Sequence, residues 1–313
     1  MRSKSRSDIR RAIPLLFLGV ALLFPFSGFS QTSLATSPLS VPSLIAPAYF
    51  GPNAFPVPEV LSADTLNSIE ISTSASADFG YMSDKTFTLN AKAMIPLFTN
   101  RVVLVVSMPV QEWYFNSLER QRFCRLQDTT EIRGHGAGDV FVSTNILILK
   151  ERKYVPAIAV RAALRTASGG QYQYARFYDS PGYFFDAAIA KAFSFKKDIN
   201  LRFSASAGFL CWQTDNARQN DAVMYGILLQ LKTKYIRWKT EFAGYAGWEK
   251  QGDLPMVVRT KIEGLLRVRG KKHNDKEIHS LNPFVKYGYG IKDSPWHHLE
   301  VGITYSVEVV KKK

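Results

Sequence analysis

Two arginines interrupt an apolar segment of the chain at a spacing that places them on the same side of a β-strand. Arg161 and Arg165 stand four residues apart in AIAVRAALR (157–165). All the other residues of this segment are alanine, isoleucine, valine or leucine. Successive side chains of a strand point to opposite faces, so one face of this segment is basic and the other is apolar. A basic row of this kind favours anionic or polar solutes.

Charged residues in the same phase of other segments extend this row over most of the chain. With the apolar phase facing outward, the inward positions besides Arg161 and Arg165 are Lys92, Glu112, Asp186, Arg202, Arg237, Lys239, Glu241, Arg259, Lys261, Glu263 and Glu300. Two interpretations of these residues stay open. Either they line a pore or binding lumen, or they pair across the interior and fill it.

The sequence gives no indication of catalysis. The histidines fall in predicted loops or turns and belong to no nucleophile motif; they are His135, His273, His279, His297 and His298. The chain has no CxxC or HExxH pattern, which argues against a zinc site. The glycines of HGAGD (135–139) allow a tight turn more simply than they bind a phosphate. We predict a protein that is not an enzyme, without catalytic residues, cofactor or metal site.

The segments that carry the charged residues alternate with period two, which is typical of β-strands. Each is longer than the average strand of about 5–6 residues. A tilted strand needs about 9–11 residues to cross a bilayer, and every segment reaches that length. The predicted strands are 68–81, 86–97, 101–114, 138–150, 154–167, 183–196, 198–212, 222–233, 235–249, 256–270, 281–293 and 297–309.

The connections between these segments alternate between short and long. Short turns at one rim and longer loops at the other are typical of outer-membrane barrels, and closure leaves no unpaired edge in lipid. The sequence predicts an all-β fold, an antiparallel transmembrane β-barrel of about 12 strands. A soluble β-sandwich is the alternative that alternation alone also allows.

Aromatic residues stand close to the predicted strand ends. Girdles of aromatic side chains mark the two membrane interfaces of such barrels. The expected girdle residues are Trp113, Tyr114, Tyr183, Phe184, Trp212, Tyr235, Trp248 and Trp296.

The N-terminal sequence predicts export. Residues 1–30 combine a basic start, an apolar stretch and small residues before Gln31, the pattern of a cleaved signal peptide; an N-terminal membrane anchor is the alternative, for which the stretch is short. Residues 31–66 are rich in proline and serine, and we expect an arm or linker there. This arm either tucks into the body through Tyr49 and Phe50 or stays mobile. The barrel is predicted over 67–313, in the bacterial outer membrane.

The charge balance and the cysteines give weaker indications. A net charge of +14 often indicates nucleic acid, but export argues against that partner. The expected partners are outer-membrane lipid, the barrel-assembly machinery and a small solute. Cys124 and Cys211 allow one disulfide in an oxidising compartment, although nothing in the sequence places them together.

The segment GAGDVFVSTNILILKE (136–151) resembles a family of bacterial outer-membrane barrels described as transporters or meta-pathway phenol-degradation proteins. That family has a Gly-x-Gly-Asp entrance to a strand, which Gly136, Gly138 and Asp139 match. The chain departs from the family at RTASGG (165–170), where a proline often precedes a Thr-Gly pair. The resemblance implies a barrel of similar size and the uptake of small hydrophobic or aromatic compounds. It carries no substrate-contacting residue over to this chain.

These features together predict a barrel for the passive passage or uptake of small molecules, hydrophobic, aromatic or anionic. The alternative is a structural or interaction barrel that acts through its surface loops, chiefly 115–137 and 168–182.

Overall fold

A computed structural model describes residues 46–124, 132–171, 174–178, 180–196, 198–214, 221–247, 253–269 and 278–308. The predicted signal peptide, residues 1–30, lies outside the described residues, as do residues 31–45 of the arm. The strands are β1 (Ser68–Gly80), β2 (Lys85–Pro96), β3 (Val102–Asn116), β4 (Ile132–Gly136), β5 (Phe141–Leu149), β6 (Ala157–Arg165), β7 (Gly182–Lys196), β8 (Ile199–Trp212), β9 (Asp221–Lys232), β10 (Ile236–Ala246), β11 (Met256–Gly264), β12 (Leu266–Arg269), β13 (Ile278–Lys292) and β14 (Trp296–Glu308).

Helical structure is sparse in the described part of the chain. One α-helix, α1 (Leu118–Phe123), follows β3, and a 3₁₀ turn, Tyr81–Ser83, joins β1 to β2; a second 3₁₀ turn, Pro47–Tyr49, lies in the N-terminal arm. The side chain of Ser117 caps α1 by accepting a hydrogen bond from the amide of Arg120. None of the helices described is long and apolar enough to span a membrane.

The strands form one antiparallel sheet that closes on itself. β1 pairs with β14 along its whole length, from Ser68 opposite Glu308 to Gly80 opposite Trp296. β4 and β5 lie end to end against β3, and β11 and β12 lie end to end against β13, so the segments make a closed barrel of 12 strands. The predicted all-β, antiparallel 12-stranded barrel is confirmed.

The outer face of the barrel is an apolar belt. Along β9, Val223, Ile227 and Leu229 are 63%, 48% and 44% exposed, whereas their neighbours Met224 and Leu228 are buried. The same alternation continues around the barrel, for example at Val301 of β14, which is 51% exposed. A continuous apolar surface of this extent is typical of a face covered by lipid.

The described part of the N-terminal arm, residues 46–66, runs through the barrel interior from one rim to the other. At the loop rim, the amide of Gly51 donates to the carbonyl oxygen of Ala175 at 2.8 Å. At the short-turn rim, the amide of Leu66 donates to the carbonyl oxygen of Asn100 at 3.0 Å. Of the two alternatives for the arm, the structure places its residues 46–66 inside the barrel.

An apolar cluster fills the lumen close to the loop rim. Phe50 and Phe55 of the arm pack against each other and against Tyr178 of the loop after β6, with ring centroids 5.1–5.5 Å apart. Trp212 of β8 and Tyr245 of β10 complete the cluster, and all five residues are at most 5% exposed. This cluster closes the loop end of the described lumen.

Candidate functional site: the lumen and the arm inside it

A cavity of about 1380 Å³ lies between the arm and the barrel wall. Its lining reaches the short turns at Arg101, Asp198 and Thr233, and ends at Phe184 and Trp212 on the other side. No described residue of the long loops belongs to the lining. The cavity therefore opens at the short-turn rim, which faces the periplasm in barrels of this kind.

Most of the charged residues that the sequence places inward line this cavity. Arg165 is inward as well but lies in the apolar cluster, where it is 2% exposed. The predicted residues that line the cavity are Lys92, Arg161, Arg202, Arg237, Lys239, Glu241, Arg259, Lys261, Glu263 and Glu300.

The lumen arginines bind the backbone of the arm. A guanidinium group has several donors in a planar fork and can serve two acceptors at once. Three arginines from three different strands donate to arm carbonyl oxygens at 2.8–3.1 Å: Arg161 to Glu59, Arg202 to Ser62 and Ala63, and Arg259 to Val57 and Pro58. Arg165 donates to the carbonyl oxygen of Ala54 in the same way.

Each of these three arginines also pairs with a carboxylate. Arg161 contacts both carboxylate oxygens of Asp186, at 2.7 and 2.9 Å. The other pairs are Arg259 with Glu241 at 2.6 Å, and Arg202 with Glu151 at 2.8 Å and Asp64 at 3.2 Å. The pairs with Asp186, Glu241 and Glu151 hold the guanidinium groups at the wall, while Asp64 is a further contact between Arg202 and the arm.

Glu59 is the acidic side chain through which the arm contacts lysines of the wall. Its two carboxylate oxygens lie 2.9 Å from Nζ of Lys286 and 3.3 Å from Nζ of Lys92. Lys286 also contacts Glu300 at 3.2 Å. Neither Glu59 nor Lys286 was among the residues predicted from the sequence. Alternation in β13 carries the signal for Lys286, because its neighbours Val285 and Tyr287 face outward.

A second group of charges, the rim cluster, lies at the loop rim and consists of Asp84, Glu112, Arg120 and Arg176. Arg176 pairs with Glu112 at 2.8 Å and with Asp84 at 3.4 Å, and Arg120 pairs with Asp84 at 3.0 Å. All four are at most 1% exposed. Burial opposes the charge of Arg176, but Glu112 and Asp84 outweigh it and raise its pKa. Only Glu112 was expected inward; the others lie in loops, where no periodic pattern marks a buried residue.

The strand-entrance motif holds the loop that follows β6. Asp139 accepts hydrogen bonds from the amides of Ser168 and Gly169 at 3.0 and 2.7 Å, and it lies 3.7 Å from Arg165. A Cβ atom on Gly138 would lie 2.6 Å from Pro109, so this close packing requires glycine. Gly136 ends β4. These contacts indicate a structural role for Gly136, Gly138 and Asp139.

Several expected girdle residues are instead inside the barrel. Tyr114, Phe184, Trp212 and Trp296 are at most 7% exposed. The reason is the strand period: Trp113 and Tyr114 are neighbours, so they cannot both face lipid. Trp113 and Tyr235 are exposed on the outside, at 41% and 64%, Tyr183 is partly exposed, and Trp248 lies outside the described residues.

The prediction that the histidines lie in loops is wrong for those described. His135 is in β4, His279 in β13, and His297 and His298 in β14, while His273 lies outside the described residues. His298 faces inward and hydrogen-bonds Asp78 at 2.7 Å and Glu300 at 3.3 Å. Within the described ranges, no group of three His, Cys, Asp or Glu residues is placed to hold a metal ion.

Cys124 and Cys211 are both buried, and no disulfide joins them. Burial raises the pKa of Cys124, which follows α1, to about 11. Its thiol is therefore protonated at neutral pH and a poor nucleophile.

Comparison with solved structures shows the fold of an outer-membrane channel. The COG4313 outer membrane channel from Pseudomonas putida F1 matches with a TM-score of 0.50 and 9% identity, over 80% of this chain and 98% of that chain. The NanC porin gives a TM-score of 0.45 at 9% identity, over 76% and 100% of the two chains. The KdgM porin gives 0.40 at 14% identity, over 75% and 98%.

No protein-family model and no curated protein matches the chain. The resemblance to the phenol-degradation family therefore stays a prediction from its strand-entrance motif. The described chain has the fold of a porin-like outer-membrane barrel.

Proposed function

We propose that the protein is an outer-membrane channel for small molecules, and that the N-terminal arm occupies its lumen at rest. The cavity between arm and wall is the observation that carries this proposal: about 1380 Å³ of space, lined by charged as well as apolar residues, inside a barrel with a lipid-facing surface. The wall holds the arm by hydrogen bonds and ion pairs that water can replace. Displacement of the arm would join the cavity to the loop rim. The basic surplus of the lining favours anionic solutes.

A cross-link between the arm and the wall tests this function. A Cβ atom on Gly226 of β9 would lie 2.5 Å from Cγ2 of Val60 in the arm, which brings the two Cβ positions into the range of a disulfide, about 3.5–4.5 Å. The variant V60C/G226C should form this bond after export. We expect liposomes that contain the oxidised variant to swell slowly in arabinose or potassium gluconate, and to swell faster after reduction.

The single variants V60C and G226C are the matched controls, because each keeps the local change without the cross-link. They and the wild type should not respond to the reductant, since Cys124 and Cys211 are buried. Equal swelling rates of the oxidised and reduced double variant would refute a gating role of the arm.

The filled loop rim favours one second candidate, a structural barrel that acts through its loops. The apolar cluster and the rim cluster both join the loops to the wall. In that case liposomes that contain the wild type or the reduced double variant would swell in neither arabinose nor potassium gluconate. Passage through the reduced variant would exclude this candidate.

A further inference from the structure

The lumen-facing charged residues of β10 and β11 stand opposite one another in three cross-strand pairs, here called steps. In one step both residues carry the same charge. Arg237 stands opposite Glu263, and Glu241 stands opposite Arg259, so the outer steps pair opposite charges. The middle step places Lys239 directly opposite Lys261. Cross-strand neighbours have Cβ atoms only about 4.5–5.5 Å apart, and like charges at such positions destabilise a sheet.

Neither lysine of this step has an acidic partner among the described residues. The ammonium group of Lys261 instead lies over the ring of Phe284, 3.7 Å from its centroid. Both lysines are only partly buried and line the cavity. Lys239 and Lys261 therefore place two like charges at one cross-strand position in the wall of the cavity.

The same space contains the carboxylate that the arm contributes. The charges that act on Lys261 are those of Glu263, Lys239, Glu59 and Lys92. Glu59 is bound between Lys92 and Lys286 but keeps 46% of its side chain exposed. Glu59 thus shows that a carboxylate fits among these lysines, and its exposure makes it exchangeable with a solute.

We propose that Lys92, Lys239, Lys261 and Lys286 form a binding site for small dicarboxylates, at which Glu59 of the arm competes with the solute. The ion pairs of these four lysines involve two carboxylates, Glu59 and Glu300, while Glu263 pairs with Arg237, so the site carries a positive surplus that suits a ligand carboxylate. In the proposed complex, one carboxylate of the ligand binds Lys239 and Lys261, and the other replaces Glu59 at Lys92 and Lys286. Its binding would then release the arm from Lys92 and Lys286.

This inference deepens the proposed channel function. It rests on that function only where it takes the bound dicarboxylate to be the transported solute. The test is isothermal titration of the detergent-solubilised full chain with succinate at low ionic strength, where charge interactions are least screened. We expect succinate to bind and its uncharged diamide, succinamide, not to bind. The variant K239M/K261M should bind succinate at least about tenfold more weakly, because charge-assisted hydrogen bonds are lost. It removes a like-charge pair, so it should retain the fold, which heat-modifiability on a gel verifies.

The variant E59Q distinguishes competition from simple attraction. Without the internal carboxylate, a larger fraction of the sites is free, and succinate should bind severalfold more tightly. Lys153→Met, at an exposed position in a short turn, should leave the affinity unchanged. Wild-type affinity in K239M/K261M, or no binding to the wild type, would overturn the site; unchanged affinity in E59Q would overturn the competition. Binding without solute passage in the cross-link experiment would refute the channel alone, and passage without binding would refute the dicarboxylate site alone.

Discussion

Removal of Arg176 should destabilise the barrel through the carboxylates that it leaves behind. The guanidinium group contacts Glu112 and Asp84 and hydrogen-bonds Asn116 at 3.3 Å. In Arg176→Met, Asp84 keeps Arg120 as its partner at 3.0 Å, whereas Glu112 keeps only the amide of Asn53 at 2.7 Å. One charge is thus left uncompensated, and the loss of one partner from a buried pair costs about 3–5 kcal/mol. We expect a value of about 3 kcal/mol, because only one of the two carboxylates loses its counter-ion.

Urea unfolding in phospholipid vesicles, followed by tryptophan fluorescence, measures this cost. With a urea dependence of about 3 kcal/mol per molar, the midpoint should fall by about 1 M. The control is Arg152→Met, whose side chain is exposed in a short turn and should contribute less than about 1 kcal/mol.

The decisive comparison is between Arg176→Met alone and the same variant with the charge of Glu112 removed. Glu112→Gln in the Arg176→Met background removes the uncompensated charge and should restore part of the lost stability. The reasoning is refuted if Arg176→Met unfolds within about 1 kcal/mol of the wild type. It is equally refuted if the second substitution adds to the loss instead of reducing it.

Two further predictions concern the strand-entrance motif and the lipid face. Gly138→Ala places a methyl group 2.6 Å from Pro109 and should lower the free energy of unfolding by about 1–3 kcal/mol. In Gly170→Ala the methyl group meets nothing within 4 Å, and the free energy of unfolding should stay within about 0.5 kcal/mol of the wild-type value. Equal temperatures of the gel shift in the two variants would contradict this prediction. Ile227→Arg, in the middle of β9, should cost about 2–4 kcal/mol in vesicles, and Tyr235→Arg at the rim about 0–1 kcal/mol. Equal costs for the two arginines would argue against the proposed membrane orientation of β9.

The wall of the barrel was predictable because its two environments impose a simple pattern. Each strand has lipid on one side and a polar lumen on the other, so polarity alternates along the sequence. β9 was predicted at 222–233 and is found at Asp221–Lys232. The predicted strand 138–150 failed only at its start, where Pro109 packs against Gly138 and separates β4 from β5. Packing of this kind leaves no trace in periodicity.

The partners of the lumen charges were not predictable, because many of them are backbone groups. Arg161, Arg202 and Arg259 bind carbonyl oxygens of the arm, and every residue of a chain has a carbonyl oxygen. The sequence left two interpretations open for these arginines, an open lumen or a filled one. The structure combines them: the arm fills the core of the lumen, and a cavity remains beside it.

The two halves of the described arm, residues 46–55 and 56–66, are held by different interactions. This difference determines which half leaves the lumen first. Phe50 and Phe55 are at most 5% exposed, and exposing a buried phenylalanine costs about 1.5–3 kcal/mol. Residues 56–66 border the cavity, where water can replace the hydrogen bonds from the wall. Their release leaves no buried charge unpaired, because Arg161 keeps Asp186 and Arg259 keeps Glu241. We therefore expect residues 56–66 to detach first, and the apolar half to follow before the cavity joins the loop rim.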